Sequence, residues 1–271
     1  MTLTLTASVE ADHTPPRVRL DVNDTTGTVP SVTITRLDPD SVYRKVRTSD
    51  DAPLPLSGGL ATIYDYEAPF GYALTYMTDL AGSPTATVQI DSAQSWLVHL
   101  GVPSRSCPIE FAPGSFTTVT RTVPQGVFVV LERPDPVVAS GGARLLGASQ
   151  FVLMTETISD LAALDLLFSD GSTLFLNVPP SLGYDVDSMY VAPGDVVFGR
   201  PSSVATHKDR TITVPYQTVG RPSGGTQAAI TWNDVATRGA DDYTAAPSSY
   251  ATWAAAAAAA DSWAELAAPT S

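Results

Sequence analysis

Ile63-Tyr64-Asp65-Tyr66-Glu67-Ala68-Pro69-Phe70-Gly71-Tyr72-Ala73-Leu74-Thr75-Tyr76 is the stretch whose reading decides the fold of this chain. A short alternating run ends in an acidic corner punctuated by proline and glycine, and aromatic residues then return every few positions. That is the pattern of the last turn and penultimate strand of a small β-sandwich.

Outward from this corner, residues 1–93 divide into seven candidate strands: Thr2–Ala7, Arg17–Val22, Ser31–Arg36, Tyr43–Arg47, Ala61–Tyr64, Tyr72–Asp79 and Thr85–Ile90. Turn residues separate them at Asn23-Asp24-Thr25-Thr26-Gly27, Asp38-Pro39-Asp40, Ser57-Gly58-Gly59 and Ala81-Gly82-Ser83-Pro84. In the first strand Leu3 and Leu5 share a face. Short strands at near-regular spacing predict a sandwich, and the lack of paired cysteines favours a fibronectin type III layout over an immunoglobulin one.

Residues 94–222 stay β-rich but add one helix. Strands are expected at Ser95–Leu100, Ser115–Val123, Gly126–Leu131, Gln150–Glu156, Thr173–Val178, Met189–Val191, Val196–Arg200 and Thr211–Val219. Over 159–170, Leu161, Leu164, Leu167 and Phe168 recur at helical spacing; Ser159 is placed to cap, Asp160 complements the dipole, and Gly171 can take the left-handed stop. The expected unit is a β-sheet domain with one amphipathic helix packed on it.

Residues 223–271 change character. Ser223-Gly224-Gly225 reads as a linker, and Trp232, Tyr243, Tyr250, Trp253 and Trp263 follow in an alanine-rich background. Ala254–Ala260 has high helix propensity, bracketed by Pro247 and Pro269, so a partly helical tail is expected. Trp232-Asn233-Asp234-Val235-Ala236 and Trp263-Ala264-Glu265-Leu266-Ala267 repeat one pattern. Such a tail has no core of its own. Either it folds back on its own domain, or Trp232, Tyr250, Trp253 and Trp263 anchor into neighbouring subunits, as aromatic hot spots do.

Composition narrows the function. Charged residues are only 16% of 271, and 22 prolines with 19 glycines favour punctuated strands over long helices. A net charge of −13 argues against gripping nucleic acid, which takes phosphate-neutralising cations. No 18-residue apolar span predicts a membrane helix. The first residues carry neither a basic patch nor an apolar run, so a strand is expected there rather than a signal peptide. Cys107 is the sole cysteine, so stability must come from packing, which suits a reducing cytoplasm.

Residues suited to chemistry are few. His13 stands beside Pro15-Pro16, His99 ends an apolar strand and His207 lies near Lys208 and Asp209. Gly147-Ala148-Ser149 lacks the second glycine of a nucleophile elbow, and Cys107 before Pro108 reads as a buried, neutral thiol. Asp21-Val22-Asn23-Asp24-Thr25-Thr26-Gly27 has its glycine one place late for a calcium loop, with Val32 where a closing glutamate belongs, so a self-capping turn is expected. Asp185-Val186-Asp187 and Asp241-Asp242 read as solvated turns. Glu132 and Glu156 are the chief acids in expected strands, and a carboxylate pair assembled by the fold stays open. No catalytic, cofactor-binding or metal-ligating residue is assigned, and the chain does not read as an enzyme.

The corner Tyr64-Asp65-Tyr66-Glu67-Ala68-Pro69-Phe70-Gly71, with the run through Tyr76, resembles minor tail proteins of siphophages infecting actinobacteria. Gly126 through Val138, the helical stretch through Gly171, Tyr184-Asp185 with Met189-Tyr190-Val191, and Trp232-Asn233-Asp234-Val235 extend the resemblance. Glu132 stands where the family has glycine. The resemblance implies a structural component of the tail tip, of distal-tail type, in which a tube-like β unit flanked by a helix forms a ring and sandwich domains decorate it.

The expectation is therefore a virion protein made in the host cytoplasm: a self-assembling homo-oligomer (a hexameric or trimeric ring) joining tube, hub and receptor-binding parts, without nucleic-acid or membrane partners. The alternative is a cell-surface glycan-binding module, with Tyr64, Tyr66, Phe70 and Tyr72 as a platform unless they are sandwich core.

Overall fold

The computed structural model describes residues 3–48, 51–80, 84–123, 125–128, 137–140, 147–201 and 209–223. These all belong to one compact unit, Met1–Ala228. The described protein is mainly β, with one α-helix.

The N-terminal strands are β1 (Leu3–Glu10), β2 (Arg17–Asp24), β3 (Ser31–Val32), β4 (Ile34–Leu37), β5 (Tyr43–Lys45), β6 (Leu54–Pro55), β7 (Leu60–Asp65), β8 (Ala73–Thr78) and β9 (Thr85–Gln89). They form an antiparallel sheet in the order β1-β2-β7 and a second in the order β5-β4-β8-β9, while β3 and β6 pair with each other. Alternation explains the faces. Val18, Leu20 and Val22 of β2 and Leu74 and Tyr76 of β8 are buried in one shared core, while Arg19, Asp21 and Thr75 between them are only half-buried.

The remaining elements are β10 (Ser95–His99), β11 (Cys107–Phe111), β12 (Gln125–Phe128), β13 (Val137–Ser140), β14 (Ala148–Thr155), α1 (Ile158–Phe168), β15 (Leu174–Asn177), β16 (Met189–Pro193), β17 (Val197–Gly199) and β18 (Arg210–Val219). Among the described residues, strands β12 and β13 pair only with each other. The others run in the order β14-β11-β10-β15-β16-β18-β17, and β14 also pairs with β18. That last pairing closes a barrel. Because β14 lies along β18 from Arg210 to Gln217, β16 and β17 must follow one another on its opposite edge, at Tyr216–Val219 and Thr211–Thr213.

Two cores share the barrel wall. On β10, Trp96 and Val98 face the N-terminal sheets while Leu97 faces the barrel interior; on β15, Phe175 faces the former and Leu174 and Leu176 the latter. Tyr190 and Val191 of β16 divide in the same way. A strand buried on both faces reads as continuously apolar, which is why Ser95–His99 shows no alternation. The segment beyond residue 93 thus completes the core of the segment before it.

Helix α1 covers the barrel core with Leu164 and Leu167, and with the partly buried Leu161 and Phe168. The expected face is correct, but the cap is not Ser159, which lies inside the helix. Thr157 caps instead: its Oγ1 accepts from the Asp160 N–H at 3.1 Å and donates to Asp160 Oδ2 at 2.6 Å. Gly171 follows with φ +64°, in the left-handed region foreseen for it.

One expected strand is overturned. Ser115–Val123 forms a turn and loop whose one β-bridge to β14 is Thr120–Ala148 among the described residues, and Phe116 has φ +59°. This conformation brings the Phe116 ring against Phe111 at 4.8 Å and Phe151 at 6.1 Å. Aromatic packing outweighs the β-propensity of the threonine- and valine-rich run. The barrel uses Cys107–Phe111 in its place, a short strand with Pro108 as its second residue, which the sequence reading missed.

Candidate functional site

The 63–76 stretch forms the junction of the two cores. Asp65 ends β7 and is buried; its Oδ2 accepts from Arg36 Nη1 at 2.5 Å and from the Tyr76 hydroxyl at 3.0 Å, while its Oδ1 accepts from the Glu67 N–H at 2.9 Å. Arg36 also donates to Asp38, which in turn accepts from Arg44 at 2.6 Å. Burial, and then the charge of Asp65, push the Tyr76 phenol well above its usual range, so it stays a donor.

Two residues on, Glu67 is held from both sides. Arg47 donates to its Oε1 at 2.8 Å, and Arg221, just past β18, donates to its Oε2 at 3.0 and 2.5 Å. Arg47 also donates to the Pro222 carbonyl at 3.0 Å. The corner backbone is tied to the barrel by Asn177: its Nδ2 donates to the Ala68 carbonyl at 2.8 Å and its Oδ1 accepts from the Phe70 N–H at 3.1 Å. The hydroxyl of Ser188 donates to the same Oδ1 at 2.9 Å. Gly71 closes the corner at φ +79°, where a Cβ would stand 2.8 Å from Pro180 Cδ. Only glycine meets both demands.

Beside this junction lies a cleft of ≈570 Å³ lined by Arg36, Arg44, Tyr72, Phe175, Tyr190 and Arg221 among others. Its arginines are engaged by Asp65, Asp38, Asp40 and Glu67. The chemistry on offer is structural: charged groups paired with one another, which join two packing units and fix where the chain leaves β18. The sequence reading missed Arg36, Arg47, Glu67 and Arg221 as a set. One signal was present. Arg36 sits two residues from Ile34 on the core-facing side of β4, a position where a charge requires a buried partner.

The other residues singled out by sequence are scattered. His99 is buried; its Nδ1 accepts from the Val102 N–H at 2.9 Å, so Nε2 carries the proton and donates to Asp170 at 2.9 Å. Burial works against the Asp170 charge, but the His99 bond and the Ser172 N–H outweigh it and hold the carboxyl at about 2. His13 faces the Pro15 carbonyl and packs edge-on against Tyr66. Cys107 is buried, and burial followed by the nearby Asp160 pushes its thiol up to about 11.

The Asp21–Gly27 segment is a self-capped turn. The Asp24 carboxylate accepts from the Thr26 hydroxyl at 2.6 Å and from the N–H groups of Thr26, Thr28 and Val29 at 3.0, 2.8 and 2.9 Å. Its pKa falls to about 2, chiefly through the Thr26 hydroxyl. No group of three or more His, Cys, Asp and Glu placed to hold a metal ion occurs among the described residues.

Of the aromatics considered as a platform, Phe70 is 1% exposed and belongs to the core. Tyr64 carries the Arg17 guanidinium 3.6 Å from its ring centroid. Tyr72 lines the cleft instead. Glu156 is exposed at the end of β14, and Glu132, His207, Asp241, Asp242 and the anchors Trp232, Tyr250, Trp253 and Trp263 lie outside the described residues.

Fold and junction define a mainly β protein in which a closed barrel is welded to a pair of facing sheets. Comparison with family models, curated proteins and solved structures returned no match.

Proposed function

We propose that this chain is a structural component of a long-tailed bacteriophage tail tip, which self-assembles into a ring and connects tube, hub and receptor-binding parts. In this reading residues 1–93 are a fibronectin type III-like sandwich, which two antiparallel sheets ordered β1-β2-β7 and β5-β4-β8-β9 support. Residues 94–222 are the tube-like unit with its flanking helix. Residues 223–271 carry the inter-subunit anchors Trp232, Tyr250, Trp253 and Trp263.

One observation carries the reading: the buried junction of Asp65, Glu67, Asn177 and Arg221 makes one body of the sheets and the barrel. A connector transmits position only if its parts hold a fixed relation, and rings of identical parts close only through a repeated rotation. The test is the solution mass of the full chain beside a chain ending after Ser223, which keeps Arg221 and Pro222 in place. A full-length ring that falls to monomers on truncation supports the assembly role and puts the tail in its interfaces. Monomers in both cases remove self-assembly from the reading.

A further inference from the structure

The barrel is incompletely sewn. Strand β11 pairs with β10 from Cys107 to Ile109 on one edge, but meets β14 only at Glu110–Met154 and Phe111–Leu153. Continuing that register would set Ile109 opposite Thr155. The pairing stops there, β14 ends, and the chain turns through Thr157 into α1. A groove of ≈490 Å³ lies where the strands part, lined among others by Ser95, Cys107, Glu110, Thr155, Glu156 and Asp160.

Two features of this groove call for a ligand. Ser95 and Thr155 are 1% and 4% exposed, yet neither Ser95 Oγ nor Thr155 Oγ1 has a hydrogen-bond partner among the described residues. Alternation along β10 and β14 puts both on the same strand faces as Leu97 and Leu153, which point to the barrel core behind the groove. Buried hydroxyls left unpaired are costly, and a donor entering the groove recovers that cost. The second feature is charge. Every charged residue among the described residues lining the groove is acidic, namely Glu110, Glu156 and Asp160, with no lysine, arginine or histidine among those described residues.

We infer that this groove receives the cationic side chain of a partner protein segment, an arginine or lysine whose N–H groups reach the two hydroxyls while the three carboxylates balance its charge. The ligand must be donor-rich and positive. An arginine head has five N–H donors and no acceptor, which suits hydroxyl oxygens and carboxylates together. A neutral sugar would satisfy the hydroxyls but leaves the uniform sign of the lining unexplained. This site is separate from the junction and does not depend on ring formation.

The experiment titrates the full-length, isotope-labelled chain with acetyl-Gly-Arg-Gly-Arg-Gly-amide and follows backbone amide shifts. The expected result is a saturable shift centred on Glu110 and 155–160, weakened about tenfold in Thr155→Val, which keeps shape and charge but removes one hydroxyl. A Glu110→Gln, Glu156→Gln double variant should weaken it comparably, while Asp12→Asn, a remote exposed acid, should not. Thermal unfolding of each variant checks that the barrel is intact. Equal binding by Thr155→Val and the parent chain would reduce the effect to general attraction to an acidic surface and overturn the site. So would a response of these amides to maltohexaose and not to the peptide.

Discussion

Arg221 and Glu67, 154 residues apart in sequence, meet through two hydrogen bonds of 3.0 and 2.5 Å at a carboxylate that Arg47 holds from the other side. This contact joins the end of the barrel to the corner of the N-terminal sheets. It also explains why an acid sits in a corner otherwise built of Ala68, Pro69 and Phe70. Glu67 is 3% exposed, so its charge is tolerated only with both guanidinium partners in place.

Glu67→Gln should therefore lower stability by about 3 kcal/mol, because it removes the carboxylate charge that Arg47 and Arg221 share. The exposed pair Arg19–Asp21, with side chains 39% and 38% accessible, provides the contrast. Asp21→Asn should cost no more than about 1 kcal/mol. Urea unfolding of both variants checks the ranking, and equal effects would refute the role given to the junction.

Gly71→Ala and Gly27→Ala separate backbone strain from crowding. Both glycines have positive φ, +79° and +62°, but only at Gly71 would the new Cβ meet an atom, Pro180 Cδ at 2.8 Å. The expected costs are about 1 kcal/mol at Gly27, and about 3 kcal/mol at Gly71, where the corner must also move away from the barrel. The difference in urea midpoint between the two variants measures that closeness.

Acid sensitivity should trace in part to the Asp24 turn. Its folded pKa, about 2, lies below the ordinary 3.8, so folding favours the ionised form. The contribution is fully present above about pH 4 and is lost as pH falls through about 2. Asp170, also held at about 2, acts in the same window. Asp24→Asn should flatten the fall in stability between pH 4 and 2 and lower stability at neutral pH, both visible in denaturation followed across pH. An unchanged acid limb would mean that other carboxylates set it.

Cys107 should be a slow thiol. Raising its pKa from 9.0 to about 11 cuts the thiolate fraction at neutral pH about 100-fold, and burial slows access further. Labelling with a maleimide at pH 7 should reach completion only after urea unfolding. Rapid labelling of the folded chain would show that the end of the barrel opens readily.

The strands themselves were legible because alternation is a local property: β2, β7, β8 and β18 follow directly from which side chains share a face. The helix was legible from Leu161, Leu164, Leu167 and Phe168, although Thr157 and Ser159 are chemically equivalent as caps. Only the geometry of the Asp160 N–H chose between them. The strand expected at Ser115–Val123 failed because Phe116 gains more by turning inward onto Phe111 and Phe151 than the run gains from pairing.

By itself, then, the sequence determined the β class, the placing of most strands, the single helix and the capped Asp24 turn, all set by neighbours a few residues away. Tertiary structure alone decided the closure of β14 on β18, the shared wall between the two cores and the meeting of Glu67 with Arg221. Those contacts join segments that nothing in local propensity links, and a buried charge finds its partner only when the whole chain has packed around it.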